Sequence, residues 1–334
     1  MKLVIACNTR SSRTIAPALV RILLSCCYLL FCGGLGLAQK AGLSLERNLK
    51  LGRPPSIRVN SDLVLIPVTV LDRDDRSVVG LEKERFRVFE DKVEQVITQF
   101  AMEDAPVSIG FAFDASASMR DKLQQSREAV TKLLNTANPG DEFFLVYFND
   151  QVELAVDLTT STQQLQEQLT FIQSSGRTAL LDAIHFSLQR MHSANNVRKA
   201  LIIISDGGDN SSRYTMTDLK KLVREADVQI YAIGIFDPIN VRSQISEELA
   251  GPALLRRVAK QSGGLFFEID NVNQLPDVAY KIGEALRTQY VLGYSPKEMQ
   301  RDGKYHRVEV KLAQPKGFPQ MQTSWRRGYR APVE

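Results

Sequence analysis

Three short stretches of the chain gather oxygen-bearing side chains where loops are expected. Phe113-Asp114-Ala115-Ser116-Ala117-Ser118 ends an apolar run and sets a carboxylate and two hydroxyls at alternate positions, so all three can converge. Ser175-Gly176-Arg177-Thr178 precedes Ala179-Leu180-Leu181-Asp182, and Ser205-Asp206-Gly207-Gly208-Asp209 ends a second apolar run. Asp114, Ser116, Ser118, Thr178 and Asp206 together offer two carboxylates and three hydroxyls, with no histidine or cysteine among them. Hard oxygen donors carrying so little charge suit Mg²⁺, or alternatively Mn²⁺, which keeps some water and accepts an incoming carboxylate. Each stretch also has a plainer use. Ser116 or Ser118 can cap the next helix, Thr178 can be an N-cap, and Asp206 an Asx-turn residue.

The elements between these loops decide whether they meet. Residues 107–113, 143–148, 201–204, 230–235 and 265–269 are short, nearly continuous apolar runs, as expected of strands covered on both faces of a parallel sheet. Helical periodicity fills the intervals, with Met119, Leu123, Val130, Leu133 and Leu134 on one face and Leu180, Leu181, Ile184, Leu188 and Met191 on another. Leu219, Leu222 and Val223 mark a third helix, Leu254, Leu255 and Val258 a fourth, and a last helix is expected at about 272–287. The fold class is α/β, a doubly wound, mostly parallel, Rossmann-like sheet over 105–290. In such a sheet the loops at the carboxyl ends of the strands form the ligand crevice, so the three stretches share one edge.

On either side the texture is all β. Residues 62–71, 86–89 and 93–100 read as strands, with a turn at 72–75 and Pro67 suggesting an edge or a bulge. Val308, Val310 and Leu312 alternate with charged residues, as in a half-buried antiparallel strand. The segments 58–104 and 291–334 are expected to pair into one small flanking β unit, behind a proline-marked linker at 39–57.

Asp-x-Ser-x-Ser, the threonine and the second aspartate, in this order and these loop contexts, resemble the von Willebrand factor A domain and its metal-ion-dependent adhesion site. The resemblance covers about 105–290. It implies that Ser116, Ser118 and Thr178 contact one divalent cation, that Asp114 and Asp206 bind it largely through water, and that a partner's acidic side chain completes the octahedron. Val88-Phe89-Glu90-Asp91, Tyr290-Val291-Leu292-Gly293-Tyr294 and Arg327-Gly328-Tyr329 further resemble the von Willebrand-A-related proteins of acidobacteria. Arg177 departs from the family, where glycine is common before the threonine, and its guanidinium is expected to face solvent or to favour acidic partners.

The net charge of +4 belongs to the first 38 residues. Lys2, Arg10, Arg13 and Arg21 are their only charged side chains, followed by an apolar run that closes on Gly36-Leu37-Ala38. That is the layout of a signal peptide cleaved after Ala38, or of an uncleaved signal anchor, and it predicts a periplasmic, cell-surface or secreted protein. Cleavage leaves 38 basic against 38 acidic residues and removes all four cysteines, Cys7, Cys26, Cys27 and Cys32. Disulfide, zinc-thiolate and cysteine-nucleophile chemistry are thereby excluded from the remainder, and its charge gives no sign of nucleic acid or anionic lipid. Membrane contact is expected only through an uncleaved leader.

Enzymatic motifs are missing. There is no Gly-x-Ser-x-Gly elbow, dinucleotide fingerprint or P-loop, and Ser116 stands where an Asp-x-Asp phosphatase carries its second carboxylate. His185, His192 and His306 read as surface or capped histidines, Asp182 and Asp209 as helix-start and turn residues, and the aromatic and basic run 325–330 as a solvated strand face. The expected function is a non-enzymatic, exported binding module that docks a protein partner's Asp or Glu through Mg²⁺. The alternatives are a subunit of an ATPase or chelatase-like assembly, or a metal-dependent hydrolase; both aspartates being committed to the ion leaves the latter no general base.

Overall fold

The structure, a computed structural model of the chain, describes residues 63–102, 104–236, 246–296, 302–314 and 320–333, with the backbone alone at 246–250. The expected leader and linker lie outside the described residues. Among the described residues no helix is long and apolar enough to cross a membrane.

The chain opens with four short strands, β1 (Val64–Leu71), β2 (Phe86–Glu90), β3 (Val93–Gln95) and β4 (Gln99–Met102). The α/β region follows: β5 (Val107–Asp114), α1 (Leu123–Leu134), β6 (Glu142–Phe148), β7 (Val152–Thr159), α2 (Thr162–Phe171), α3 (Leu180–Met191), β8 (Arg198–Ser205), α4 (Met216–Glu225), β9 (Gln229–Ile235), α5 (Ser246–Ser262), β10 (Phe266–Ile269) and α6 (Leu275–Arg287). Four further strands close it, β11 (Tyr290–Tyr294), β12 (Tyr305–Leu312), β13 (Gln322–Trp325) and β14 (Gly328–Arg330).

The central sheet has the order β10-β9-β8-β5-β6-β7, parallel except for β7. All eight residues of β5 are buried, because helices cover both faces. Val107, Ile109, Phe111 and Phe113 pack with α1, α2 and α6, whereas Ala112, Phe144, Val146, Leu201 and Ile203 pack with α3, α4 and α5. The doubly wound, mostly parallel fold is thus present. The sequence reading missed β7 and α2. β7 is a half-exposed edge strand and α2 buries only Leu165 and Leu169, so neither carries a long apolar run.

The flanking strands form two four-stranded sheets, β13-β1-β11-β4 and β14-β12-β2-β3. They share a core of Ile66, Val68, Val70, Phe86, Val88, Tyr290, Leu292, Val308, Val310 and Trp325, so the flanking unit is a small β-sandwich. The stretch 93–100 splits into β3 and β4 in different sheets, with buried Ile97 between them. Pro67 sits at a local edge of a strand that is otherwise interior. Pairing with β13 begins only at Val68, so at Pro67 β11 is the one neighbour, and the missing N–H costs no ladder bond on the other side.

Candidate functional site

The strand order reverses direction at β5 and β8, the place where an open α/β sheet forms its crevice. Asp114 ends β5 and Ser205 ends the adjacent β8, and their side chains meet in a hydrogen bond of 2.5 Å from Ser205 Oγ to Asp114 Oδ2. The other carboxylate oxygen, Oδ1, accepts the Ser116 amide at 2.9 Å. Asp114 is wholly buried. Burial, and then the nearby Asp206 carboxylate, push its carboxyl well above the usual range, while the bonds from Ser116 and Ser205 work the other way.

Main-chain hydrogen bonds knit the three loops together. The Ser175 amide donates to the Ala115 carbonyl at 2.8 Å and the Ala117 amide to the Gly176 carbonyl at 3.1 Å. The Asn210 amide donates to the Thr178 carbonyl at 3.0 Å, and Asn210 Oδ1 accepts the Thr178 amide at 2.9 Å. Two glycines permit this closeness. Gly176 has φ +74°, and a Cβ there would lie 2.2 Å from Asp150 Oδ2. Gly207 has φ +86° and lies so close to α5 that a Cβ on Gly251 would stand 2.4 Å from the Gly207 carbonyl oxygen.

The hydroxyls are not spent on capping. Ser116 is the N-cap of a 3₁₀ turn (Ala117–Lys122) but makes no side-chain cap bond, and α3 begins after Ala179, so Thr178 is not its N-cap. α1 likewise has Lys122 as its N-cap, without a side-chain cap bond. A missing cap costs about 1 kcal/mol. Each fully buried Leu or Val contributes about 2 kcal/mol, so the apolar faces of α1 and α3 outweigh that loss. Ser116 and Ser118 instead face each other, Oγ to Oγ, at 3.1 Å. An octahedral ion with bonds of about 2.1 Å sets adjacent ligands about 3 Å apart, so the pair fits one edge of such a site. With both Asp114 oxygens already holding protein donors, that carboxylate is suited to receive an ion's water rather than the ion.

Sequence reasoning missed Lys122. Its ammonium lies 3.0 Å from Asp206 Oδ2, both side chains being mostly buried. Its neighbours Arg120 and Asp121 gave no pattern that would single it out. Ser205 was missed as well, although its place beside Asp206 in the same run could have pointed to it. Arg177 is exposed, yet its guanidinium donates to the Asn210 carbonyl, bracing the third loop. Asp209 accepts from the Leu181 amide and from Ser212 Oγ, and Asp182 from the Arg213 and Tyr214 amides, so both serve the loops behind the site.

Residues 108–281 match the von Willebrand factor type A domain model. The bovine inter-alpha-trypsin inhibitor heavy chain H4 is 24% identical over 214 residues, 58% of this chain and 22% of that protein. This chain therefore spans about a fifth of the length of that relative. Among solved structures, the von Willebrand factor type A protein from Catenulispora acidiphila is 15% identical, with 83% of this chain and 76% of that one covered at a TM-score of 0.49. Proximal thread matrix protein 1 of the mussel byssus, solved with a zinc-occupied metal-ion-dependent adhesion site, is 18% identical, with 59% and 50% covered at a TM-score of 0.47. None of these relatives bears on the narrower likeness to acidobacterial proteins. The matched segment takes in just over half of the chain, including all five oxygen donors and the loops that carry them, and so the chain belongs to the von Willebrand factor type A domain family.

Proposed function

We propose that the chain is an exported binding module whose Asp114, Ser116, Ser118, Thr178 and Asp206 hold one Mg²⁺, through which it docks an acidic side chain of a protein partner. The observation that carries this reading is the pair of serine hydroxyls facing each other at 3.1 Å without capping a helix, beside a buried carboxylate. Charge supports the acidic partner. Asp114, Asp206, Lys122 and a divalent ion together carry one net positive charge when both carboxylates are ionised, and exposed Arg177 adds another at the rim. Such a site attracts a carboxylate. The role is binding rather than turnover, because both aspartates are engaged within the site and neither is left as a general base.

The test is a pull-down from the outer surface or periplasm of the source cell with Mg²⁺ present. Capture of a partner should be lost with a chelator and with Asp114→Ala, and it should be weakened when acidic residues of the partner are neutralised. Capture that survives both chelator and Asp114→Ala would refute the metal-mediated reading.

A further inference from the structure

In the β-sandwich, two pairs of side chains distant from each other in sequence converge. Glu90 ends β2, Asp91 opens the turn to β3, His306 lies on β12, and Asp302 lies in the loop before it. His306 Nδ1 is 2.9 Å from Asp91 Oδ2 and 3.5 Å from Glu90 Oε1, and its Nε2 is 3.4 Å from Asp302 Oδ1. One ligand atom from each of Glu90, Asp91 and His306 falls within 4.8 Å of the others. Asp91 is held in place by its second oxygen, Oδ1, which accepts the Arg307 amide at 3.0 Å.

Glu90 adds a buried and incompletely paired carboxylate. The residue is only 7% exposed, and its Oε1 accepts from the Tyr329 hydroxyl at 3.2 Å. Its Oε1 also faces His306, and its Oε2 has no hydrogen-bond partner of normal geometry among the described residues, the buried Tyr294 hydroxyl beside this carboxylate being likewise unpaired. A buried, incompletely paired carboxylate costs about 1–3 kcal/mol or more, and a cation bound to it would offset that cost.

We propose that Glu90, Asp91 and His306 form a second metal site, separate from the loops of the α/β region, that takes a first-row divalent transition ion such as Zn²⁺. Three features favour it. Ligands about 2.1 Å from an ion, at tetrahedral to octahedral angles, lie about 3.0–3.4 Å apart, close to the two distances at His306 Nδ1. The imidazole, absent from the first site, selects against Mg²⁺ and for Zn²⁺ or its neighbours. Asp302 on the other ring nitrogen supplies the carboxylate–histidine–metal arrangement that fixes the tautomer and leaves Nδ1 free to ligate. Asp91 is half exposed, so an ion has an entry path and open coordination positions for water.

The probe is Zn²⁺ titrated into the full chain with Mg²⁺ in excess, and in parallel into Asp114→Ala, so that the first site does not contribute. One equivalent should bind in both. Glu90→Gln and His306→Gln should each weaken binding by at least 100-fold, and Asp302→Asn, a positioning change, by about tenfold. Co²⁺ in place of Zn²⁺ should give a visible absorption band that His306→Gln removes. Circular dichroism checks each fold; if His306→Gln does not fold, Asp91→Asn at the half-exposed position carries the test with the same expected loss. No Zn²⁺ bound, or equal binding by the native chain and the Glu90→Gln and Asp91→Asn variants, would overturn the proposal. The cluster would then be an ion network around a protonated His306, with Glu90 turned toward the buried Tyr294 hydroxyl.

Discussion

A serine or threonine hydroxyl at the start of a helix can serve the helix or serve a ligand, and those of the first site do not serve the helix. Ser116 makes no cap bond, Thr178 stands before the helix's N-cap, and Asp114 is anchored through both oxygens. The types and spacing of these five residues were legible in the sequence because Asp-x-Ser-x-Ser is a local pattern. Lys122 was not, since its pairing with Asp206 spans 84 positions. Its ammonium repels any cation at the site and competes for Asp206. Lys122→Met should therefore tighten Mg²⁺ binding about tenfold, or ~1.4 kcal/mol, as read by calorimetry. Weaker binding would mean that Lys122 chiefly orients Asp206. His306 was likewise illegible, because its carboxylate neighbours Glu90 and Asp91 lie more than 200 positions away and are joined to it only by the pairing of β2 with β12.

At the scale of elements, the site depends on how closely the loop after β8 can approach α5. Gly251→Ala would drive a Cβ to 2.4 Å from the Gly207 carbonyl, and Gly207 cannot relax easily at φ +86°. The expected result is a shift of the Asp206 loop, a tenfold or greater loss of Mg²⁺ affinity, and about 1–3 kcal/mol of destabilisation. Gly80→Ala is the control. Its φ of +77° imposes strain, but nothing lies within 4 Å of the new Cβ, so metal binding should be unchanged. Equal affinity in the native chain and Gly251→Ala would mean the loop is not held by this contact. The strands that build the crevice were readable from their continuous apolar runs, which a parallel sheet covered on both faces requires. β7 and α2 were not, for half-exposed elements at an edge bury too little to print a pattern.

Across the whole molecule, the β-sandwich and the α/β region share buried polar contacts. Gln289, just beyond α6, has its Nε2 within hydrogen-bond distance of Gln229 Oε1 (2.8 Å), the Tyr231 hydroxyl (2.9 Å) and Thr69 Oγ1 (3.2 Å), its two N–H groups tying β1 and β9 to the start of β11. Arg326 pairs with Asp227 at 2.5 Å and Arg330 with Glu225 at 3.0 Å, so the basic run near the C-terminus meets α/β side chains rather than forming a free cationic face. These joins could not be read from sequence, because every one links segments more than 50 positions apart. If the three loops at one sheet edge hold a single divalent ion through these five residues, as proposed, anomalous diffraction from crystals of the chain grown with Mn²⁺ should show it. One strong peak bonded to Ser116 Oγ, Ser118 Oγ and Thr178 Oγ1 is expected, lost in Asp114→Ala. No peak there, or a peak that survives Asp114→Ala, would refute the proposed site.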